Sequence, residues 1–349
     1  MAKKISIKDI ANELKVAKST VSFVLNGKAR EKRISGELAE RILRFIKEKG
    51  YEPNQIARSL STGKTKMICL MVEKISDYFF SHIAFLLEEL AYKNGYKIIF
   101  CSTENDTEKA KELLGTMRNR YVDGYIITPS PGIEKEVQEL IQDNIPVVLF
   151  DRYFPDIQTD YVILDNYRGT YAAVHYLAKE KIEKIGFITL KSIQTQMKER
   201  LQGYLNALEE FKLHPVLLEI PFGCGSSEMT AIIRNFLIDN NKLDALVFAT
   251  NYLTLSGIKA LSELKIRFPE DILIIAFDDH EIFELYNPTI SAVAQPMEKL
   301  ANQLFSILYE KLKHKESSSG LHQIIIPAEL KLRASSIKFP FKQTVETGI

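Results

Sequence analysis

Residues 16–27 read VAKSTVSFVLNG, and their side chains divide into two chemically different sets. Val21, Val24 and Leu25 recur at the i, i+3, i+4 spacing of one helix face, while Ser19, Ser22, Phe23 and Asn26 project from the other. The hydroxyls and the amide can donate and accept hydrogen bonds to something outside the helix, and Phe23 can offer it an apolar surface. Two further elements are needed to hold such a face outward. Upstream, Ser6 followed three residues later by Asp9 has the spacing of a capping box, and Ile7, Ile10, Ala11 and Leu14 repeat the apolar period. Downstream, Ser35 can cap a third helix whose stripe is Leu38, Ile42, Phe45 and Ile46 and which stops at Gly50. Three short amphipathic helices, the second with small polar residues outward, read as a helix-turn-helix.

Charge says what the outward face would meet. Residues 1–66 hold 16 Lys plus Arg against 7 Asp plus Glu, a net of +9, while the remaining 283 residues hold 30 against 38, a net of −8. A basic head on an acidic body suits attachment to phosphates, because each neutralised phosphate releases counterions. The loop GKAREKRIS adds Lys28, Arg30, Lys32 and Arg33 beside the second helix. Next comes YEPNQIARSLSTGKTK, in which Pro53 and Gly63 bracket the helix-forming stretch 54–60. One and a half turns are unstable alone in water, so this segment is either a linker or a hinge that becomes helical when docked. Arg58 offers a phosphate contact and Leu60 an apolar wedge, the combination used by elements that kink DNA from the minor groove.

From Met67 onward, apolar runs alternate with amphipathic helices: MICLMV, KIIFC, GYIIT, PVVLF, YVILD, KIGFITL, VLLEI, ALVFA, ILIIAF and SAVA. Ten strands exceed what one small sheet usually holds, so two doubly wound α/β subdomains are expected, with a ligand cleft at the carboxyl ends of their strands. No apolar run approaches the roughly 18 to 20 residues of a spanning helix. The segment MAKKISIKDI lacks the apolar core of a secretion signal, so no membrane partner and a cytoplasmic location are expected. Cys69, Cys101 and Cys224 are odd in number and far apart, which suggests neither a disulfide framework nor a zinc site. The six His are scattered, and no HExxH, GxSxG or GxxxxGK[ST] occurs. No catalytic residue, metal or cofactor is therefore assigned, and an enzyme is not expected.

Several ordered stretches carry a resemblance: IKDIANELKVAKSTVSFVLNG, GYEPNQIARSLSTGKTKMICLMV, DYFFSHI, VDGYIITP, FDRYFP, VILDN, ERLQGY, FATNYLTLSG and FDDHEIFELYNPTISAVAQP. Along nearly its whole length the chain resembles the lactose-repressor/galactose-repressor (LacI/GalR-type) transcription regulators. The resemblance implies an N-terminal all-α helix-turn-helix domain over 1–50 and a hinge helix over 51–63. It also implies a periplasmic-binding-protein-like α/β body of two subdomains, 64–163 with 290–316 and 164–289 with 317–349. Such a protein acts as a homodimer on a palindromic double-stranded DNA operator, here most simply as a repressor, and answers to a small effector.

Carried over residue by residue, the family places Lys18, Ser19 and Phe23 at base-specifying positions of the recognition helix, with Thr20, Ser22 and Asn26 holding phosphates or fixing the helix. Arg is usual where Phe23 stands and Ser or Thr where Ala17 stands, so bidentate recognition of a guanine is forfeited while a thymine methyl can still be met. Asn54, Ala57 and Leu60 match the hinge positions that enter the minor groove. In the cleft, Phe79, Phe80 and Phe222 match residues that cover or stack on the ligand. Arg200 matches an arginine that grips its oxygens, and Asp278 a carboxylate that orients it. Gln196, Arg152 and Asn251 complete the set. Tyr252 departs from the usual Asp. A sugar or sugar acid is the expected effector, with a purine or another small metabolite as the alternative; a sugar-binding transport protein would share the body but has no use for the basic head.

Overall fold

The computed structural model describes residues 5–51, 63–313 and 320–338, and its chain divides into two compact units, residues 1–65 and 66–349. The first unit contains helices α1 (Ile7–Glu13), α2 (Lys18–Leu25) and α3 (Gly36–Glu48). Ser6 and Asp9 form the expected capping box, and Ser35 accepts from the Leu38 N–H. The α1 and α2 stripes meet Ile42 in a core of Ile10, Ala11, Leu14, Val21 and Val24. Arg41 donates to the Leu14 carbonyl at 3.0 Å, tying α3 to the end of α1. Ala17 occupies the α2 N-cap with no side-chain bond, the consequence of having no hydroxyl there.

The second unit is built on two six-stranded sheets. One is ordered β11 (Gln323–Ile326), β5 (Asp160–Leu164), β4 (Val147–Phe150), β3 (Gly124–Ile127), β1 (Met67–Val72), β2 (Lys97–Ser102), all parallel. The other is ordered β12 (Glu329–Lys331), β10 (Ser291–Ala294), β9 (Leu273–Phe277), β8 (Ala245–Phe248), β6 (Ile185–Lys191), β7 (Val216–Pro221), with only β12 antiparallel. Runs such as ALVF and LIIAF are buried along their full length, as strands covered on both faces must be. The helices that cover the first sheet are α4 (Tyr78–Lys93), α5 (Thr107–Asn119), α6 (Glu134–Gln142) and α12 (Met297–Lys313). The second sheet is covered by α7 (Asn166–Lys179), α8 (Thr195–Glu210), α9 (Ser226–Asp239) and α10 (Asn251–Glu263), with the one-turn α11 (Glu281–Leu285) after β9. Helices α7 and α8 approach very closely: a Cβ on Gly203 would stand 2.4 Å from the Tyr167 carbonyl oxygen, so only glycine fits.

The ten expected strands are β1 to β10. Strands β11 and β12 complete the sheets, and the pairing of β10 and of β11 moves two of the expected subdomain boundaries. The resemblance puts 290–316 in the first subdomain, yet β10 pairs with β9 in the second sheet; it puts 317–349 in the second, yet β11 pairs with β5 in the first. The chain therefore passes between the lobes after β5, after β10 and between β11 and β12. Strand pairing, which no apolar run encodes, is what decides these positions.

Candidate functional site

Two surfaces collect the residues singled out above. On α2, Lys18, Ser19 and Asn26 are exposed, and Thr20, Ser22 and Phe23 are half-buried. The Asn26 amide donates to the Ser22 carbonyl at 2.9 Å, so it fixes the helix end. Phe23 stands outside the three-helix core, and the ammonium of Lys32 lies 5.6 Å from its ring centroid. The loop thus folds back beside the outward face: the Lys28 N–H donates to the Phe23 carbonyl at 2.8 Å, and Lys28, Arg30, Lys32 and Arg33 remain exposed or half-exposed. Of these cations Lys32 also pairs with Glu31 at 3.0 Å. Asn54, Ala57 and Leu60 lie outside the described residues.

The second surface is at the carboxyl ends of the strands, where α/β folds bind ligands. Strands β4 and β9 occupy the same place in the two sheet orders, and each runs into Phe-Asp: Phe150–Asp151 in one lobe, Phe277–Asp278 in the other. Both aspartates sit in the left-handed region at φ +67°, a conformation Asp tolerates better than most residues and one that collects at functional sites. Arg152 follows Asp151 and is 2% exposed. Its Nη2 donates to Glu73 at 2.7 Å and its Nε lies 3.6 Å from Asp151, while Nε and Nη1 have no hydrogen-bond partner. Glu73 comes directly after β1 and also accepts from Asn105 at 2.7 Å.

Arg200, projecting from α8, is equally buried. It donates to Asn166 Oδ1 at 2.8 Å, to the Ala249 carbonyl at 2.6 Å and to Asp278 at 3.4 Å, and its guanidinium covers the Phe277 ring at 3.7 Å. Gln295, just past β10, donates to the other oxygen of Asp278 at 2.6 Å. Gln196, one turn before Arg200, is buried with its Oε1 unpartnered. Asn251 is buried as the first residue of α10, which Thr250 caps. Asp77 caps α4 by accepting from the Phe79 N–H at 2.9 Å. Phe79 shares a pocket with Tyr78, Asp278, His280 and Gln295, and Phe80 packs edge-on against Phe150 at 6.0 Å. The lobes touch through the Tyr78 and His280 rings, 4.0 Å apart, and through Gln194 donating to Asn105 at 3.3 Å.

Burial, with Asp278 and Glu73 adding repulsion, pushes the Asp77 carboxyl up to about 6. Asp151 is likewise pushed up to about 6 by burial, with Arg152 and Arg200 opposing the rise. Tyr252 is raised strongly, by burial first and then by Glu73, with Asp77 and Asp278 also contributing. These mutual effects place Glu73, Asp77, Asp151, Tyr252 and Asp278 in one cluster. The structure thus brings Phe79, Arg152, Arg200 and Asp278 together, and buries Gln196 on the helix of Arg200 and Asn251 at the start of α10. Phe222 lies 45% exposed in the turn after β7. Glu73, Asp77, Asp151 and Gln295 were not foreseen. Asp151 stands in the same FDR motif as Arg152, and Gln295 in the AQP that follows SAV, but Glu73 sits among polar residues that read as an ordinary strand-to-helix turn.

A family model for the lacI family of bacterial regulatory proteins matches residues 6–54, and one for a periplasmic binding protein-like domain matches residues 174–336. The HTH-type transcriptional repressor PurR of Haemophilus influenzae (strain PittEE) is 31% identical over 333 residues, 95% of this chain and 98% of the relative. The chain belongs to the lacI family. Among solved structures, this lacI-family protein is similar to the lac repressor dimer bound to operator and the anti-inducer ONPF, at 19% identity and a TM-score of 0.84 over 96% of this chain and 100% of that one, a likeness of fold. It is also similar to a periplasmic binding protein/LacI transcriptional regulator from Alkaliphilus metalliredigens QYMF complexed with D-xylulofuranose, at 26% identity and a TM-score of 0.69 over 78% and 100% of the two chains. As a lacI-family member it is a DNA-binding transcriptional regulator controlled by a small effector, and the basic three-helix unit and the cleft are the two parts that division of labour requires.

Proposed function

We propose that this regulator is a repressor that binds a palindromic operator as a homodimer, using the outward face of α2 and the cations of the following loop, and that a hydroxyl-rich small molecule between the two body lobes sets its operator affinity. The observation that carries the cleft assignment is the pair of unsatisfied buried groups: Nε and Nη1 of Arg152, and Oε1 of Gln196. Buried donors and acceptors without partners are costly, and a ligand offering both hydroxyl hydrogens and oxygens would satisfy them. Carboxylates at Asp151 and Asp278 can accept from ligand hydroxyls while the two arginines donate to ligand oxygens, a donor and acceptor set suited to a sugar. The sugar bound to the similar Alkaliphilus metalliredigens regulator supports the same class. Phe79 supplies the apolar wall, and Phe80 backs it within the lobe core.

Effector binding draws the lobes together about the three crossing segments, and the change passes to the hinge residues Asn54, Ala57 and Leu60. The cleft binds and releases its ligand without transforming it. The protein acts in the cytoplasm, where its operator is. The test is a thermal-shift screen of sugars, sugar acids and purines on the full chain, followed by operator titration in the presence of each ligand that stabilises it. The expected result is a stabilising sugar that changes operator affinity in the parent and not in Arg200→Ala. A stabilising ligand whose effect survives Arg200→Ala would place the effector elsewhere.

A further inference from the structure

The second half of the outward face of α2 is poor in donors. Phe23 can give none, and the Asn26 amide is turned back on Ser22, donating to its carbonyl at 2.9 Å and reaching its hydroxyl at 3.4 Å. A cation from the next loop stands at that place: the Lys32 ammonium lies 5.6 Å from the Phe23 ring centroid. The loop that carries it is anchored at both ends. Ala29 and Ile34 pack against the three-helix core, the Ile34 N–H donates to the Ala29 carbonyl at 2.8 Å, and the Lys32 N–H donates to the Lys28 carbonyl at 3.0 Å. Lys32 also differs from its neighbours in charge. Its ammonium is paired with Glu31 at 3.0 Å, so the two residues together add no net charge to the loop, whereas Arg30 and Arg33 form no ion pair among the described residues.

Resting on the reading of α2 as the helix that meets the operator, we propose that Lys32 reads a guanine, its ammonium donating to the O6 and N7 acceptors that guanine shows in the major groove. A distance of 5.6 Å from the ring spans one to two base-pair steps of roughly 3.4 Å, so this guanine stands within two base pairs of the pair that Phe23 covers. A phosphate contact needs net charge, because its affinity comes from released counterions, and a lysine already matched with a carboxylate supplies little of it. A base contact needs donors held in place. Lys carries three, and the contact with Glu31 leaves others for a base. Arg30 and Arg33, with no acid paired to them, are the loop's phosphate contacts.

The test starts with the full chain and a library of duplexes carrying a random segment, from which bound duplexes are enriched and sequenced. Competition titrations then replace each enriched base pair by the other three, for the parent, Phe23→Ala, Lys32→Met and the charge-neutral double variant E31Q with K32M. The position whose preference disappears in Phe23→Ala locates that ring on the duplex. In the parent a G·C pair within two base pairs of it should be preferred about tenfold or more over the other pairs. Lys32→Met and the double variant should each shrink that preference to about threefold or less, and the double variant should keep the parent's slope of log affinity against log salt. Three results overturn the proposal: no G·C preference beside the Phe23 position, a preference that survives Lys32→Met, or a double variant that lowers the slope by roughly 0.9 for each phosphate lost while every base preference stays. In each of these the α2 face still reads the operator. If Phe23→Ala leaves every preference as it was, or no duplex is enriched, the placement of that face on the bases falls, and Lys32 with it.

Discussion

Asp77 shows how a single position can be invisible in the sequence and informative in the fold. In SDYFF it caps α4, and nothing in the spacing reveals that the charges of Glu73 and Asp278 act on it from another turn and another lobe. Arg200 and Asp278 could be named from the sequence because ERLQGY and FDD match stretches of the family; Glu73 and Gln295 could not, because they come together only through the ends of strands β1 and β10. The raised Asp77 carboxyl has a definite consequence. A folded value near 6 against an ordinary 3.8 means that the folded body binds this proton more tightly than the unfolded chain, so its stabilising contribution is full below 3.8 and is lost as pH rises through 6. Asp77→Asn, which holds the neutral form permanently, should melt higher than the parent at pH 7.5, and that margin should narrow at pH 5. A margin independent of pH would mean that the carboxyl does not titrate in this window. At the α2 cap, Ala17→Ser should raise the stability of the three-helix unit by about 1 kcal/mol, measured by denaturant unfolding, since it supplies the missing acceptor for an orphan N–H. No change would show that the cap is satisfied in another way.

Elements were more legible than residues. The central parallel strands announced themselves as apolar runs because strands covered on both faces need no alternation, and the edge strands β2 and β7 did so through KIIFC and VLLEI although part of each is exposed. Strand β11 escaped because it lies at a sheet edge, where QIII alternates between exposed and partly buried positions before ending buried at Ile326, and β12 because it spans only three residues. The close crossing of α7 and α8 was likewise unreadable, although Gly203 in ERLQGY marks it. Gly203→Ala forces a Cβ against the Tyr167 carbonyl, which belongs to backbone and cannot swing aside, so a loss of about 1 to 3 kcal/mol is expected in unfolding experiments. An unchanged midpoint would mean that the helices separate at little cost. The loop after α2 makes a different kind of prediction. Its Lys28, Arg30 and Arg33 stand beside the outward face, with Lys32 over Phe23. Replacing these four by Gln should reduce the slope of log affinity against log salt by roughly 0.9 for each phosphate no longer neutralised. Equal slopes for variant and parent would remove the loop from the DNA interface.

The two body lobes repeat one strand order, 5-4-3-1-2 in the first and 10-9-8-6-7 in the second, although no repeat is detectable in the sequence. What survives of the symmetry is local: β4 and β9 both end in Phe-Asp, with the aspartates in the same left-handed conformation, so equivalent strand ends deliver a carboxylate from each side of the cleft. Each lobe carries its own apolar core, whereas contacts such as Gln194 with Asn105 and Tyr78 with His280 join the lobes through polar or partly exposed groups. Lobe separation therefore breaks few strong interactions, which suits a body that opens and closes about three crossing segments. A ligand bridging Arg152 on one lobe and Arg200 on the other has differential contacts with the closed form, and only such a difference can shift an equilibrium. If closure is what reaches the operator-binding unit, the coupling must be reciprocal: the factor by which saturating effector changes operator affinity equals the factor by which saturating operator changes effector affinity, in the range of about 1 to 3 kcal/mol. Measuring the two factors separately, one by operator titration and one by calorimetry on the operator complex, should give the same number in the parent. Tyr78→Ala, which removes a cross-lobe ring contact while leaving Arg152 and Arg200 in place, should weaken effector binding by loosening the closed form and should alter both factors equally. Unequal factors in the parent would mean that operator or effector also changes the assembly state of the chain, and equal factors untouched by Tyr78→Ala would remove this contact from the closing movement.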